Sequence, residues 1–385
     1  MLNLLIFLLF IIIGISGISY NRPRLPFGAF WNENGTTILN KTLIGSDPLD
    51  FFINQNNTIY IPNRSTGQIL LFFQGNLIKN VSINVTNSST IFVNNINAIY
   101  LDTFYSIYGG ISQITSNLTI YPISRMNICS QCFDLFYNDQ NEMIYCSLSE
   151  RHQIIAKSLV NDWNPLSVVG GTGRPDSTPT TLRRPYGIFI DEANSDLYVA
   201  DCGNNRVQKF SSGKLTAITK VGNNSINLTI NLNCPTAIVL DFDAYLFIVD
   251  SDNSRIIGEN QNGFHCLIGC NVSTGSASNQ LNQPWSLNFD PYGNIFVNDR
   301  RNNRIQKFDL DSNTLNCSNM TILPGYDLPG YDLMSQPSMT FASCCTWCLS
   351  VVNCKAFTME TLGNRCFLKY AYGSPYSKAD NSARY

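Results

Sequence analysis

The sequence predicts an all-β chain: a six-bladed β-propeller with four-stranded blades, followed by a small disulfide-rich α+β domain. Three observations carry that expectation. Asp201, Asp250 and Asp299 fall 49 residues apart, and Arg206, Arg255 and Arg304 keep the same interval; a fixed period of this size marks stacked units that bury a shared core. An aliphatic–aromatic pair recurs six times, as Ile59-Tyr60, Ile99-Tyr100, Ile144-Tyr145, Leu197-Tyr198, Leu246-Phe247 and Ile295-Phe296. Six cysteines then crowd into the region after the repeats give out. That is the pattern of a domain too small to hold its core without cross-links.

Composition narrows the class. The chain has 385 residues, 44% hydrophobic and only 14% charged, so it can bury a large core. Lys plus Arg number 25 against 27 Asp plus Glu. With no basic excess to neutralise phosphates, a nucleic-acid partner is not expected.

The first element is a targeting segment. Leu4 to Ile13 is an unbroken apolar run, followed by small residues at Gly17 and Ser19. This suits a signal peptide over residues 1–19 that is removed on export. The rival is an uncleaved N-terminal signal anchor, since Leu4 to Ile18 approaches the ~17 residues that cross a bilayer. No basic cluster follows the run, which favours cleavage and leaves the mature chain with no membrane span. Thirteen cysteines suit an oxidising compartment. Thirteen Asn-x-Ser/Thr sequons are glycosylation candidates: Asn34, Asn40, Asn56, Asn63, Asn80, Asn84, Asn87, Asn117, Asn223, Asn227, Asn271, Asn316 and Asn319. The expected location is extracellular.

The propeller is expected over residues 20–312. Gly187-Ile-Phe-Ile190 and Leu197-Tyr-Val199 read as inner strands, apolar because both faces are covered. Val207-Gln-Lys-Phe210 alternates like a half-exposed strand, and Ala217 to Val221 supplies a fourth. Earlier copies are degenerate. Asn63 and Leu148 stand where Asp201 does, and Gln68 and Gln153 stand where Arg206 does. The last repeat lacks a fourth strand after Phe308. The segment from Trp31 to Leu39 resembles the blade-ending stretch from Trp163 to Gly170, so an N-terminal strand within about 31–44 is expected to close the last blade.

These residues resemble NHL repeats. The match lies in Pro185-x-Gly-Ile-x-x-Asp191, Leu197-Tyr-Val-Ala-Asp201 and Asn204-Asn-Arg-Val207. It is strong over 182–308 and weaker over 45–160. Residues 313–385 carry Cys344-Cys345-Thr-Trp-Cys348, then Cys354-Lys-Ala-Phe-Thr358 and Cys366-Phe-Leu-Lys369, and resemble a PAN/apple module. The resemblance implies the pairs Cys344–Cys366 and Cys348–Cys354, leaving Cys317 and Cys345 for a third. The adjacent Cys345 makes the helix cysteine ambiguous.

Within the propeller, Cys202 follows a second strand and Cys234 precedes the next blade. In a four-stranded meander those loops emerge on one face, so an inter-blade disulfide between them is expected. By the same logic Cys146 is expected to pair with Cys129 or Cys132, while Cys266 and Cys270 are expected to close a small outer-strand loop. Seven propeller cysteines leave one without a partner there.

Candidate sites are few. The Asp201/Arg206, Asp250/Arg255 and Asp299/Arg304 pairs read as structural repeat charges that hold turns or tie blades. No catalytic or metal-ligating residue, and no cofactor, is assigned. Calcium held by channel carboxylates is the one alternative. Two histidines, His152 and His265, are too few for a histidine-rich zinc site. His152 falls in a turn, and there is no Gly-x-Ser-x-Gly elbow. Gly170-Gly-Thr-Gly173 lacks the Lys-Ser/Thr of a phosphate cradle and reads as a turn.

The expected function is a secreted glycoprotein acting as a binding scaffold for an extracellular protein or glycan. Apple modules and NHL propellers, by resemblance, present such surfaces. The alternative is a calcium-dependent propeller hydrolase of lactonase or esterase type. Ubiquitin ligation is not expected, since no Cys/His array accompanies the repeats.

Overall fold

The computed structural model describes residues 20–311, apart from 27–28, 84, 106–108, 127–130, 226–229, 261 and 271–272, together with the strands of a C-terminal sheet. Strand β1 (Thr36–Leu39) and the one-turn helix α1 (Lys41–Ile44), N-capped by Asn40, lead into the ring. Blade 1 comprises β2 (Phe52–Ile53), β3 (Thr58–Asn63), β4 (Gln68–Phe73) and β5 (Asn76–Ser82). Blade 2 comprises β6 (Ile91–Val93), β7 (Ile99–Asp102), β8 (Ile111–Ile114) and β9 (Ile120–Pro122). Blade 3 comprises β10 (Leu135–Asn138), β11 (Met143–Leu148), β12 (Gln153–Ser158) and β13 (Ser167–Gly170). Blade 4 follows with β14 (Pro185–Asp191), β15 (Asp196–Asp201), β16 (Arg206–Phe210) and β17 (Ala217–Gly222). Blade 5 has β18 (Pro235–Leu240), β19 (Leu246–Asp250), β20 (Arg255–Asn260) and β21 (Gly263–Ile268). Blade 6 has β22 (Leu287–Phe289), β23 (Ile295–Asp299) and β24 (Arg304–Phe308). Its outer strand is β1, hydrogen-bonded to β24 with Thr37 opposite Gln306.

Burial runs from the axis outward. Every residue of β14 and β15 is buried, whereas β5 exposes all but one of its residues. Strand β16 is more buried than its alternation suggests. β17 and the neighbouring structure cover it, and the Gln208 Oε1 accepts a hydrogen bond from the Thr219 hydroxyl at 2.9 Å. Inner strands approach closely: a Cβ at Gly187 would strike the Thr236 carbonyl and Ala237 Cα of the next blade.

The turn between second and third strands follows one rule in all six blades. The residue just before the third strand has a left-handed backbone: Gly67, Gly110, His152, Asn205, Ser254 and Asn303. Glycine and asparagine adopt this conformation at least strain, which explains the Asn-Asn-Arg of the repeat. In blade 4 a Cβ at Gly222, itself left-handed, would collide with the Asn205 carbonyl oxygen.

At the ring's seam, Trp31 is 4% exposed. Its indole N–H donates to the Gly293 carbonyl at 2.8 Å, and its ring packs edge-on against Phe247. Trp163, in the similar stretch ending blade 3, is 77% exposed, so the two segments differ in packing.

The C-terminal sheet orders β25 (Ile322–Asp327), β29 (Tyr376–Arg384), β27 (Ala356–Glu360), β28 (Arg365–Lys369) and β26 (Asp332–Gln336). Cys366 is buried and disulfide-bonded. Cys317, Cys344, Cys345, Cys348 and Cys354 lie outside the described residues.

Trp31→Ala removes a buried aromatic from the seam and should cost about 3–5 kcal/mol. A thermal melt should fall by roughly 10 °C, and an unchanged melt would show that the seam does not hold the ring.

Candidate functional site

The charged repeat positions are used within the fold. The Asp201 Oδ2 accepts from Arg206 Nε and Asn204 Nδ2, both at 2.8 Å, and Oδ1 accepts from the Arg183 backbone N–H at 2.6 Å. Arg206 also donates to the carbonyls of Ser177, Thr178 and Thr181, in the loop that enters blade 4. The pattern repeats at Asp250, with Arg255 Nε, Asn253 and the Asn233 N–H. It repeats again at Asp299, with Arg304 Nε, Asn302 and the Asn282 N–H. Burial nonetheless lifts the Asp201 and Asp299 carboxyls above their usual range. Blades 1 and 3 place Asn63 opposite Gln68 and Leu148 opposite Gln153 in the same register.

Disulfides join Cys202 to Cys234, Cys132 to Cys146 and Cys266 to Cys270. The first ties the turn of blade 4 to the entrance of blade 5. Cys129 lies outside the described residues. Seven sequon asparagines, Asn34, Asn40, Asn56, Asn80, Asn87, Asn117 and Asn223, are exposed. Asn63 is half-buried, and its Oδ1 accepts from the Ser65 and Thr66 N–H groups. Asn84, Asn227, Asn271, Asn316 and Asn319 lie outside the described residues. The His152 Nδ1 accepts from the Arg184 N–H at 3.1 Å, and burial, aided by Arg183, holds its pKa down.

The same face that carries the second-strand turns forms a cup of about 410 Å3. Its walls include Arg64, Arg184, Arg300, Gln131, Gln283 and Asp252, drawn from blade turns and inter-blade loops. Asp47 bridges two of the arginines, at 2.7 Å from Arg64 Nη1 and 2.6 Å from Arg300 Nε. These guanidiniums hold its carboxyl below the usual range, although burial opposes them. The Arg300 guanidinium lies over the Trp285 ring, 4.5 Å from its centre. Arg184 Nη2 donates to the Tyr186 hydroxyl at 2.8 Å. Phe133, Tyr186 and Trp285 pack edge to face across the axis, with ring centres 5.2 and 4.9 Å apart, and floor the cup.

Beneath that floor runs the central channel, whose remaining cavity is about 70 Å3. Asp50 and Asp134, preceding β2 and β10, face it with Thr90 between them. The Thr90 hydroxyl donates to Asp50 Oδ2 at 2.9 Å and lies 3.5 Å from Asp134 Oδ1. Backbone N–H groups of Phe51 and Ile91 hold Asp50, and those of Leu135 and Ile188 hold Asp134. Neither carboxylate has an ion-pair partner among the described residues. Burial pushes Asp50 up to about 6. Burial, with the charge of Asp50 added, raises Asp134 well above its usual value. No group of three or more His, Cys, Asp or Glu is placed to hold a metal ion among the described residues. At the far mouth the N-terminal segment seals the channel. Tyr20 packs against Phe92, Phe136 and Phe189, Asn21 Nδ2 donates to the Phe289 carbonyl, and Arg22 pairs with Asp191.

Neither the cup nor the Asp50/Asp134 pair is among the residues singled out in the sequence. Arg184 is adjacent to the repeat's Pro185, and Arg300 follows Asp299, but the repeat itself does not mark them. Asp50 and Asp134 lie outside the repeated Asp positions and carry no local signal.

Comparison with known proteins agrees with the fold. The NHL repeat family matches residues 182–210. The chain is 28% identical over 144 residues to NHL repeat-containing protein 3 of Homo sapiens and 27% identical to its Mus musculus counterpart. Each match covers 34% of this chain and 41% of the relative, so the alignment spans about two-fifths of those proteins. Among solved structures, a Bacteroides thetaiotaomicron protein of unknown function superposes with a TM-score of 0.55 at 13% identity, covering 77% of this chain and 76% of that one. A streptogramin B lyase superposes at 0.51 and 13% identity, covering 76% and 93%.

Three variants probe these groups. Arg206→Ala leaves the Asp201 carboxylate buried and unpaired, which should cost about 3–5 kcal/mol. The double change Asp201→Asn with Arg206→Gln copies blade 1 and should cost less in the same denaturant titration. For the channel pair, the folded state holds protons that the unfolded chain, with carboxyls near ~4, has released. Its contribution to stability therefore falls as pH rises from about 4 through about 6. Asp50→Asn should flatten that fall in melts recorded across this range; an unaltered slope would count against the pair.

With its repeated turns, closed ring and matching repeat, the chain is a six-bladed β-propeller that carries an NHL repeat.

Proposed function

We propose that this is a secreted, glycosylated binding protein whose propeller engages an extracellular protein or carbohydrate through its cup-bearing face. The observation that carries the reading is the cup: a concave polar surface, of ligand size, lined by an exposed Arg184 that has no carboxylate beside it among the described residues. Its arginines are held by Asp47, Trp285 and Tyr186 before any ligand arrives, which lowers the ordering cost of binding. The disulfides and exposed sequons support export. The C-terminal region is proposed as a PAN/apple-like module that supplies a second contact surface.

The alternative, a calcium-dependent hydrolase, draws on the unpaired carboxylates Asp50 and Asp134. It is less favoured, because the Phe133–Tyr186–Trp285 floor and the Tyr20 plug both bar a substrate from them. Calcium that raises the melting temperature by several degrees relative to EDTA would favour it.

The binding reading is tested by producing the protein from a secretory host and screening the secreted chain against arrays of extracellular proteins and glycans. Ligands are expected whose binding drops about tenfold or more in Arg184→Ala, the loss expected for a charge-assisted contact. Retention of the protein in the cytosol, or ligands indifferent to that change, would refute the reading.

A further inference from the structure

We infer that the cup takes an acidic carbohydrate, with its carboxylate seated between Arg184 and Arg300; this rests on the cup being the binding surface.

Charge supports an anion. The whole chain carries a net charge of -2, yet three arginines line this one cup. A single carboxylate, Asp47, serves both Arg64 and Arg300. The Arg184 guanidinium has only the neutral Tyr186 side chain as a partner among the described residues. Arg183 and Arg301, next to the cup arginines in sequence, are exposed and lack ion-pair partners among the described residues. The one acidic group in the lining, Asp252, lies 3.3 Å from the Gln283 amide nitrogen. The positive excess sits at Arg184, which has no carboxylate partner among the described residues, and on the Arg64–Arg300 pair, whose two charges share Asp47.

Geometry narrows the anion to a planar one. The Arg300 guanidinium is fixed twice, over the Trp285 ring and through its Nε to Asp47, and its terminal nitrogens have no hydrogen-bond partner among the described residues. Arg184 is linked to the same aromatic floor, because Tyr186 abuts Trp285. A guanidinium edge held this way matches the two oxygens of a carboxylate.

The remaining walls suit hydroxyls. Gln131, Gln283, Ser251 and Asp252 offer both donors and acceptors around the floor. An acidic peptide finds less here. Among the described residues the cup is lined by turns and loops, with only Tyr186 of β14 coming from a strand, so no strand edge runs along it for β-augmentation. Arg300 already covers the Trp285 ring, which is therefore not open to an anchoring side chain.

The test uses calorimetric titration of the full secreted chain with three probes: a hexuronate-containing disaccharide, its methyl ester and a triglutamate peptide. The acidic disaccharide should bind, while the ester and the peptide bind at least tenfold more weakly. Added salt should weaken binding. Arg184→Gln should abolish binding while melting like the parent chain, and Arg184→Lys should recover only part of it, since lysine cannot present a fork. Equal binding of acid and ester, still lost in Arg184→Gln, would overturn the carboxylate assignment while leaving the cup as a binding surface. Tighter binding of the peptide would overturn the carbohydrate assignment with the same consequence for the cup. If no probe binds and no ligand from the protein and glycan arrays responds to Arg184→Gln, the inference and the binding reading both fail.

Discussion

A propeller blade cannot bury its own faces, and everything else in this structure depends on how that constraint is met. Each inner strand is mainly apolar because a neighbouring blade covers it on either side. The ring must therefore close, and it closes at a seam where β1 completes blade 6 by pairing with β24. Trp31 fills the gap beside blade 5. Closure also leaves a narrow axis, and this chain fills it from both ends. Aromatic rings from blades 3, 4 and 6 meet at the upper mouth, and Tyr20 and Asn21 occupy the lower one.

The buried Asp–Arg pairs show how the upper face is kept in shape. Each pair ties a blade's second-strand turn to the loop that enters that blade, using backbone carbonyls as well as charge. An ion pair in the interior is not by itself a source of stability, since desolvating both charges offsets much of their attraction. Its value here is geometric. A guanidinium with five donors can gather three carbonyls and a carboxylate at once, and blades 4 and 6 use it that way. Blades 1 and 3 manage with Asn–Gln and Leu–Gln, so the ring tolerates neutral versions.

The same device supplies the cup with preorganised groups. Asp47 lies between Arg64 and Arg300, while Trp285 supports the face of the second guanidinium. The channel carboxylates Asp50 and Asp134 contrast with this arrangement. They have no counter-charge among the described residues, so burial keeps both above the normal carboxyl range, and the charge of Asp50 adds to the effect at Asp134.

Much of the fold was legible from residues alone. The 49-residue period, the recurrent aliphatic–aromatic pair and the Asn-Asn-Arg turns are local signals. Strand pairing within a blade involves neighbours in the chain, and the left-handed turn favours glycine or asparagine, although blades 3 and 5 place His152 and Ser254 there. The pairing of Cys202 with Cys234 followed from the same local geometry. The packing of Trp163, the burial of β16 and the functional surface did not. Arg64, Arg184 and Arg300 belong to blades 1, 4 and 6, and Asp47 reaches two of them from opposite sides of the seam. No spacing in the sequence relates such residues; only closure of the ring brings them to one cup. Local chemistry determined the blades, whereas the site arises from long-range contacts that exist only once all six blades surround a common axis.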